Sequence, residues 1–144
     1  WTNRSSTVQE CREEGNDMGG TLRLGQYPTV ISNTDSIAYQ MYQKREIVER
    51  HRHRYEVNIT YKSCMESYGM EFTGMSPDGL LPEIVEVRNW YSLETRKMEF
   101  HPYFIACQFH PEFQSTPFVP HPLFKGLIFN GLVCDYMRIR NLTI

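Results

Sequence analysis

The residues with the clearest chemical potential are Phe109-His110-Pro111-Glu112-Phe113. A histidine with a carboxylate two positions on is the base-and-orienter pair of nucleophilic catalysis. Along an extended backbone, residues i and i+2 share a face, so the spacing predicts His110 and Glu112 side by side at a strand end. On that pair alone, a salt-bridged core histidine is the plainer reading. A second group is Glu49-Arg50-His51-Arg52-His53-Arg54-Tyr55-Glu56-Val57-Asn58. Read as a strand, it puts Arg50, Arg52 and Arg54 on one face and His51, His53 and Tyr55 on the other. Three like charges along one face repel unless anions or carboxylates lie opposite. The row is therefore either a solvated basic edge strand or a carboxylate or phosphate site built from arginine's forked donors. His51 and His53 offer two ligands where zinc takes three or four, so no metal site is predicted.

A nucleophile is harder to find. Cys11, Cys64, Cys107 and Cys134 are widely separated and show no CxxC spacing, which reads as reduced thiols in a cytosolic protein. Cys107 lies within the apolar run before His110, where a small buried residue is core rather than nucleophile.

The elements that must position these groups follow from periodicity and turn signals. Tyr103–Phe109 reads as a buried strand with a proline just beyond it. Residues 1–17 are polar and aperiodic and read as an irregular arm. Met18-Gly19-Gly20 reads as a turn feeding a short strand, Thr21–Leu24, that Gly25 closes. Thr29–Ile31 is a second short strand. Thr34-Asp35-Ser36 supplies N-cap chemistry for a helix over Ile37–Gln43. Tyr61–Tyr68 is a helix with Gly69 as its C′ residue. Met70–Thr73 and a half-exposed Glu83–Arg88 pair as a hairpin, with Ser76-Pro77-Asp78-Gly79 as a turn between them. Asn89–Phe100, with Trp90 and Tyr91, reads as a surface excursion. Pro122 opens a terminal helix over His121–Ile139 with an apolar stripe that includes Leu123, Leu127 and Leu132. Gly126 and Gly131 weaken that helix locally and allow close packing.

The 144 residues fit one domain. A hydrophobic share of 40% and a charged share of 22% are those of an ordinary globular chain. A net charge of -2 weighs against a nucleic-acid partner. No apolar run approaches the roughly 18 residues of a membrane span, so no membrane association is expected. No signal-peptide pattern opens the chain. The sequons at Asn3, Asn58 and Asn141 are then chance matches.

Three blocks in order, Met18–Gly25, Glu49–Asn58 and His101–Phe113, resemble the glutaminase domain of the CTP synthase family. The Arg-His-Arg-His-Arg-Tyr-Glu-Val-Asn block is the most discriminating, because His-Pro-Glu is shared by class I glutamine amidotransferases generally. The resemblance runs from Met18 to about Arg140. It implies a flavodoxin-like three-layer α/β fold, a mixed sheet with flanking helices, with residues 18–144 as the C-terminal half of the amidotransferase domain. It also implies His110 as base, Glu112 as its orienter and Arg54 as the donor to glutamine's amino-acid head group. The family nucleophile lies in a Gly-x-Cys-x-Gly turn, and none of the four cysteines has that setting. With Trp1 as the first residue, the expectation is a piece of a longer enzyme whose upstream part supplies the cysteine. The resemblance implies no cofactor in this domain, with ATP and Mg bound by a separate synthetase domain. It implies glutamine as substrate and a cytoplasmic enzyme that is a homo-oligomer at full length. A non-catalytic regulatory or assembly module, and a glutaminase serving another acceptor, are the alternatives.

Overall fold

A computed structural model of the chain describes residues 2–3 and 23–140. The glycine turn at Met18–Gly20, Cys11, Asn141 and all of the arm except Thr2–Asn3 lie outside the described residues. The core element is a five-stranded sheet of β2 (Arg23–Ile31), β3 (Glu46–His53), β5 (Met70–Met75), β6 (Pro82–Val87) and β9 (Ile105–Cys107). Its order is β3-β2-β5-β6-β9, antiparallel at every step. Two small ribbons accompany it: β1 (Thr2–Asn3) with β4 (Tyr55–Glu56), and β7 (Asn89–Ser92) with β8 (Lys97–Phe100). Among the described residues there are three α-helices: α1 (Ile37–Tyr42), α2 (Lys62–Ser67) and α3 (Pro122–Ile139). Ile31, Ala38, Ile47, Ile84, Phe109 and Leu123 form one buried cluster that joins the sheet to α1 and α3.

Several local signals act as read. Ser36 caps α1, its hydroxyl accepting from the Tyr39 amide at 3.0 Å. Gly69 follows α2 with φ 92° and donates to Glu66 O at 3.1 Å. The Ser76–Gly79 turn closes with Gly79 N donating to Ser76 O at 2.8 Å. Asn58 spends its side chain on a cap, Oδ1 accepting from the Thr60 amide at 3.0 Å.

Three expectations need correction, and a fourth gains detail. Gly25 does not end a strand: β2 is one nine-residue strand that passes through Gly25 at φ 103°, with Gly25 still opposite His51. Glycine's missing Cβ is what lets the ladder continue through that dihedral. β6 is not half-exposed, because Glu83 and Glu86 are both buried. The two are three apart in a strand and so point to opposite faces, where Arg23 meets Glu83 and the first amides of α1 meet Glu86. The Asn89–Phe100 stretch is a surface excursion as expected, and it is built as a hairpin, with Asn89 opposite Phe100 and Ser92 opposite Lys97. The α3 stripe is only partly covered: Leu123 and Gly126 are buried, whereas Leu127, Ile128, Leu132 and Tyr136 are exposed.

One buried carboxylate ties elements together here. Glu86 accepts from the Ile37 and Ala38 amides at 2.7 and 2.8 Å and from Thr73 Oγ1 at 2.8 Å. It thus satisfies the open N–H groups of α1's first turn, where the helix dipole also favours negative charge. The β5–β6 register shift between Glu71 and Gly74 accompanies a run of three buried residues, Phe72, Thr73 and Gly74. A Cβ added at Gly74 would fall 2.7–2.9 Å from three atoms of the Ile84 side chain, including its own Cβ.

Two glycine substitutions should move stability in opposite directions. Gly74→Ala should destabilise by about 1–3 kcal/mol, since the core Ile84 must shift. Gly131→Ala, in mid-helix with nothing within 4 Å of the new methyl, should stabilise by about 0.5–1 kcal/mol. Urea unfolding of the two variants beside the parent chain measures both.

Candidate active site

β9 delivers the chain to the site through a buried anchor. Phe109, 3% exposed, fixes the strand end in the core, and Pro111 then starts a 3-10 turn over Pro111–Gln114. The apolar run is extended for only three residues, Ile105–Cys107. His110 and Glu112 consequently meet across a turn rather than along a strand, because proline's fixed φ suits the first helical position. The expected neighbours are nonetheless in contact: His110 Nδ1 and Glu112 Oε1 are 2.8 Å apart. Hydrogen bonding from His110, with help from the charge of Arg52, holds the Glu112 carboxyl below the usual carboxylate range. An ionised carboxylate only accepts, so Nδ1–H is the donor, and in the neutral imidazole Nε2 then carries the lone pair. The histidine and glutamate side chains retain 30% and 55% exposure, which leaves that lone pair open to an incoming group.

The basic block lies against this turn. The His110 amide donates to the Arg50 carbonyl at 2.9 Å, and the His51 ring packs edge-on to Phe109 with centroids 6.0 Å apart. β3 is an outer strand of the sheet, with buried and exposed residues alternating from Ile47 to Arg52. Arg50 and Arg52 face outward, and among the described residues neither they nor Arg54 forms an ion pair. Arg54 stands exposed at the bend between β3 and β4. That bend breaks the predicted alternation: Tyr55 is exposed, not aligned with His51 and His53, and Glu56 turns inward. Glu56 is drawn in by Arg23 at 3.0 Å and His53 at 3.1 Å.

Three polar groupings escaped the sequence reading. Arg23 Nη1 bridges Glu56 Oε1 at 3.0 Å and Glu83 Oε1 at 2.5 Å, joining β2, β4 and β6. Glu49 is a hub: it accepts from Tyr42 Oη at 2.6 Å, meets His121 Nε2 at 2.9 Å and accepts from Gln114 Nε2 at 2.6 Å. Gln114 thereby fastens the turn that carries Glu112 to β3, where it also reaches Val48 O at 3.1 Å. The third grouping is His51 itself, 1% exposed, beside Tyr27, His53 and Phe109. A signal for Glu49 existed: it shares strand parity with Ile47, a core-type residue, so it had to point inward.

Cys107 is no nucleophile. Burial pushes its thiol up to about 12, aided by the charges of Glu49, Glu112 and Glu83. The uncharged thiol is turned to the Phe109 carbonyl at 3.5 Å. Cys64, Cys107 and Cys134 are all free. Among the described residues no group of three or more His, Cys, Asp or Glu is arranged to hold a metal ion. No described helix is long and apolar enough to cross a membrane.

The class that this fold and site define is found directly by comparison. The family model for "Glutamine amidotransferase class-I" matches residues 5–129, and the chain belongs to that family. Within it, the chain is similar to CTP synthases. It is 50% identical over 132 residues to the CTP synthase of Maricaulis maris, covering 92% of this chain and 22% of that protein. It is 54% identical over 119 residues to that of Methylorubrum populi, covering 83% and 20%. Among solved structures, the glutaminase domain of Trypanosoma brucei CTPS with bound acivicin matches with a TM-score of 0.65 and 32% identity, over 84% of this chain and 43% of that one. The chain therefore spans about a fifth of the length of the curated relatives it matches.

Burial, reinforced by Arg23 and His53, pushes the His51 pKa down to about 3. An unfolded histidine takes its proton near pH 6.5, so the unfolded state binds more protons as pH falls from there. Stability should therefore decline from pH 6.5 downward, and His51→Phe should flatten that slope. Glu56 is held below its ordinary range by His53 and Arg23 and loses its contribution only below about pH 4.5. The difference in unfolding midpoint between the parent chain and His51→Phe, followed from pH 7 to 5, isolates this histidine.

Proposed function

We propose that this chain is the glutaminase portion of a glutamine-hydrolysing CTP synthase, the C-terminal half of its amidotransferase domain. The observation that carries the reading is the pinning of the His110–Glu112 pair, through His110 N to Arg50 O, onto the basic strand that leads to Arg54. A proton shuttle and a forked cation for an amino-acid carboxylate then sit on one edge of one sheet.

In this reading Arg54 binds the carboxylate of glutamine's head group. A cysteine in a Gly-x-Cys-x-Gly turn elsewhere in the enzyme attacks the side-chain amide carbon. His110 Nε2 takes the thiol proton, and Glu112 stabilises the imidazolium and holds the ring in its tautomer. Backbone donors outside these residues stabilise the tetrahedral oxyanion. Collapse of that intermediate breaks the C–N bond, and the proton on His110 leaves with ammonia. Water, deprotonated by His110, then hydrolyses the thioester and releases glutamate. Ammonia passes to a synthetase domain of the same enzyme, where ATP and Mg²⁺ serve the amination of UTP to CTP. No residue of this chain is assigned to that step. The enzyme is cytoplasmic and oligomeric at full length.

In the full-length enzyme, His110→Ala should lower glutamine-dependent CTP formation by about 10²–10⁴-fold. CTP formation from added ammonia should persist, because ammonia bypasses hydrolysis. Full glutamine-dependent activity in that variant would remove His110 from its role. Arg54→Ala should raise KM for glutamine by about 10-fold or more, the loss of a charged hydrogen-bonded contact. An unchanged KM would take Arg54 out of the substrate pocket.

A further inference from the structure

We infer that Phe113 is a positioning residue for the base: its ring stacks on the His110 imidazole and keeps it aimed, and Arg52 holds Phe113 in place. The inference rests on the reading of His110 as proton shuttle.

The His110 and Phe113 rings lie with centroids 5.3 Å apart and planes inclined by 26°, a near-parallel stack. The imidazole's other side-chain restraint is the single hydrogen bond to Glu112. A ring tethered at one atom can still swing about that bond, and here the tether is itself a mostly exposed carboxylate. A flat partner against one face removes that swing. Offset-parallel packing is also a favoured arrangement for two such rings.

Phe113 is 43% exposed and so is not held by core burial. Two contacts from β3 fix it instead. The Arg52 guanidinium carbon lies 5.5 Å from the centroid of its ring, within cation–π range. Its chain neighbour Gln114 is bound to Val48 O and Glu49 Oε2. Arg52 is thereby absorbed into the site, one arginine before the substrate-facing Arg54. The aromatic that follows Glu112 supplies a wall for the base rather than a piece of the core.

The test has a spectroscopic arm on this chain and a kinetic arm on the full-length enzyme. In the chain, the Phe113 ring current should displace the His110 ring-proton resonances upfield. Phe113→Leu should abolish the displacement, Phe113→Tyr should keep it, and Arg52→Met should reduce it. In the enzyme, Phe113→Leu should lower kcat for glutamine hydrolysis by about 10-fold with KM within twofold, the mark of a misaimed group in a bound complex. Phe113→Tyr should restore kcat. A merely structural role would lower the unfolding midpoint and leave the kcat of the folded fraction intact. His110→Ala is assayed in parallel. If it is inactive while Phe113→Leu keeps its kcat and its His110 resonances, the stacking inference alone is overturned. If His110→Ala is fully active, the assignment of the base falls and the inference with it.

Discussion

The hydrogen bond from the His110 amide to the Arg50 carbonyl joins two parts of the chain that are distant in sequence. It is a backbone contact, so it fixes main chain against main chain and leaves both side chains free for chemistry. His110, Glu112 and the arginine row become one surface through it. Gln114 strengthens the same junction from the side, and Phe109 anchors it from beneath. A site assembled on a sheet edge and a packed turn is held more rigidly than one assembled on loops alone.

Beneath that surface lie buried charges. Arg23 between Glu56 and Glu83, Glu49 among Tyr42, His121 and Gln114, and Glu86 at the start of α1 each link elements that the apolar cluster alone would leave free to slide. Such pairs add little net stability, because desolvation offsets most of the Coulomb attraction. Their directionality has a different use. An apolar contact tolerates a small displacement, whereas a carboxylate on two helix amides does not. The sheet that carries the candidate site therefore has a defined register with both α1 and the Pro111–Gln114 turn.

Much of this was legible in the sequence where local chemistry decides. The caps at Ser36 and Gly69, the Ser76–Gly79 turn, the β5–β6 pairing and the start of α3 at Pro122 all follow from one or two residues acting on their own backbone. The His110–Glu112 contact was legible too, although by the wrong geometry. What was not legible depends on partners far along the chain. Glu83 and Glu86 look like solvent-facing residues until Arg23 and the α1 amides are brought to them. Tyr55 and Glu56 exchange their expected sides because Arg23 and His53 claim Glu56. Gly25 looked like an end because a glycine in a strand carries no local instruction about whether the ladder continues.

The β7–β8 hairpin has a further consequence. It leaves the sheet after β6 and returns before β9, and those two strands remain paired, with Ile84 opposite Cys107 and Glu86 opposite Ile105. The detour closes on itself through its own ladder from Asn89–Phe100 to Ser92–Lys97. Closure entropy rises only slowly with the length of a connection whose ends are already fixed. This stretch can thus accept or lose residues over evolutionary time without disturbing Phe109 or the turn beyond it. The joint between β6 and β9 is a place where the scaffold can vary in outline while His110 and Glu112 keep their positions.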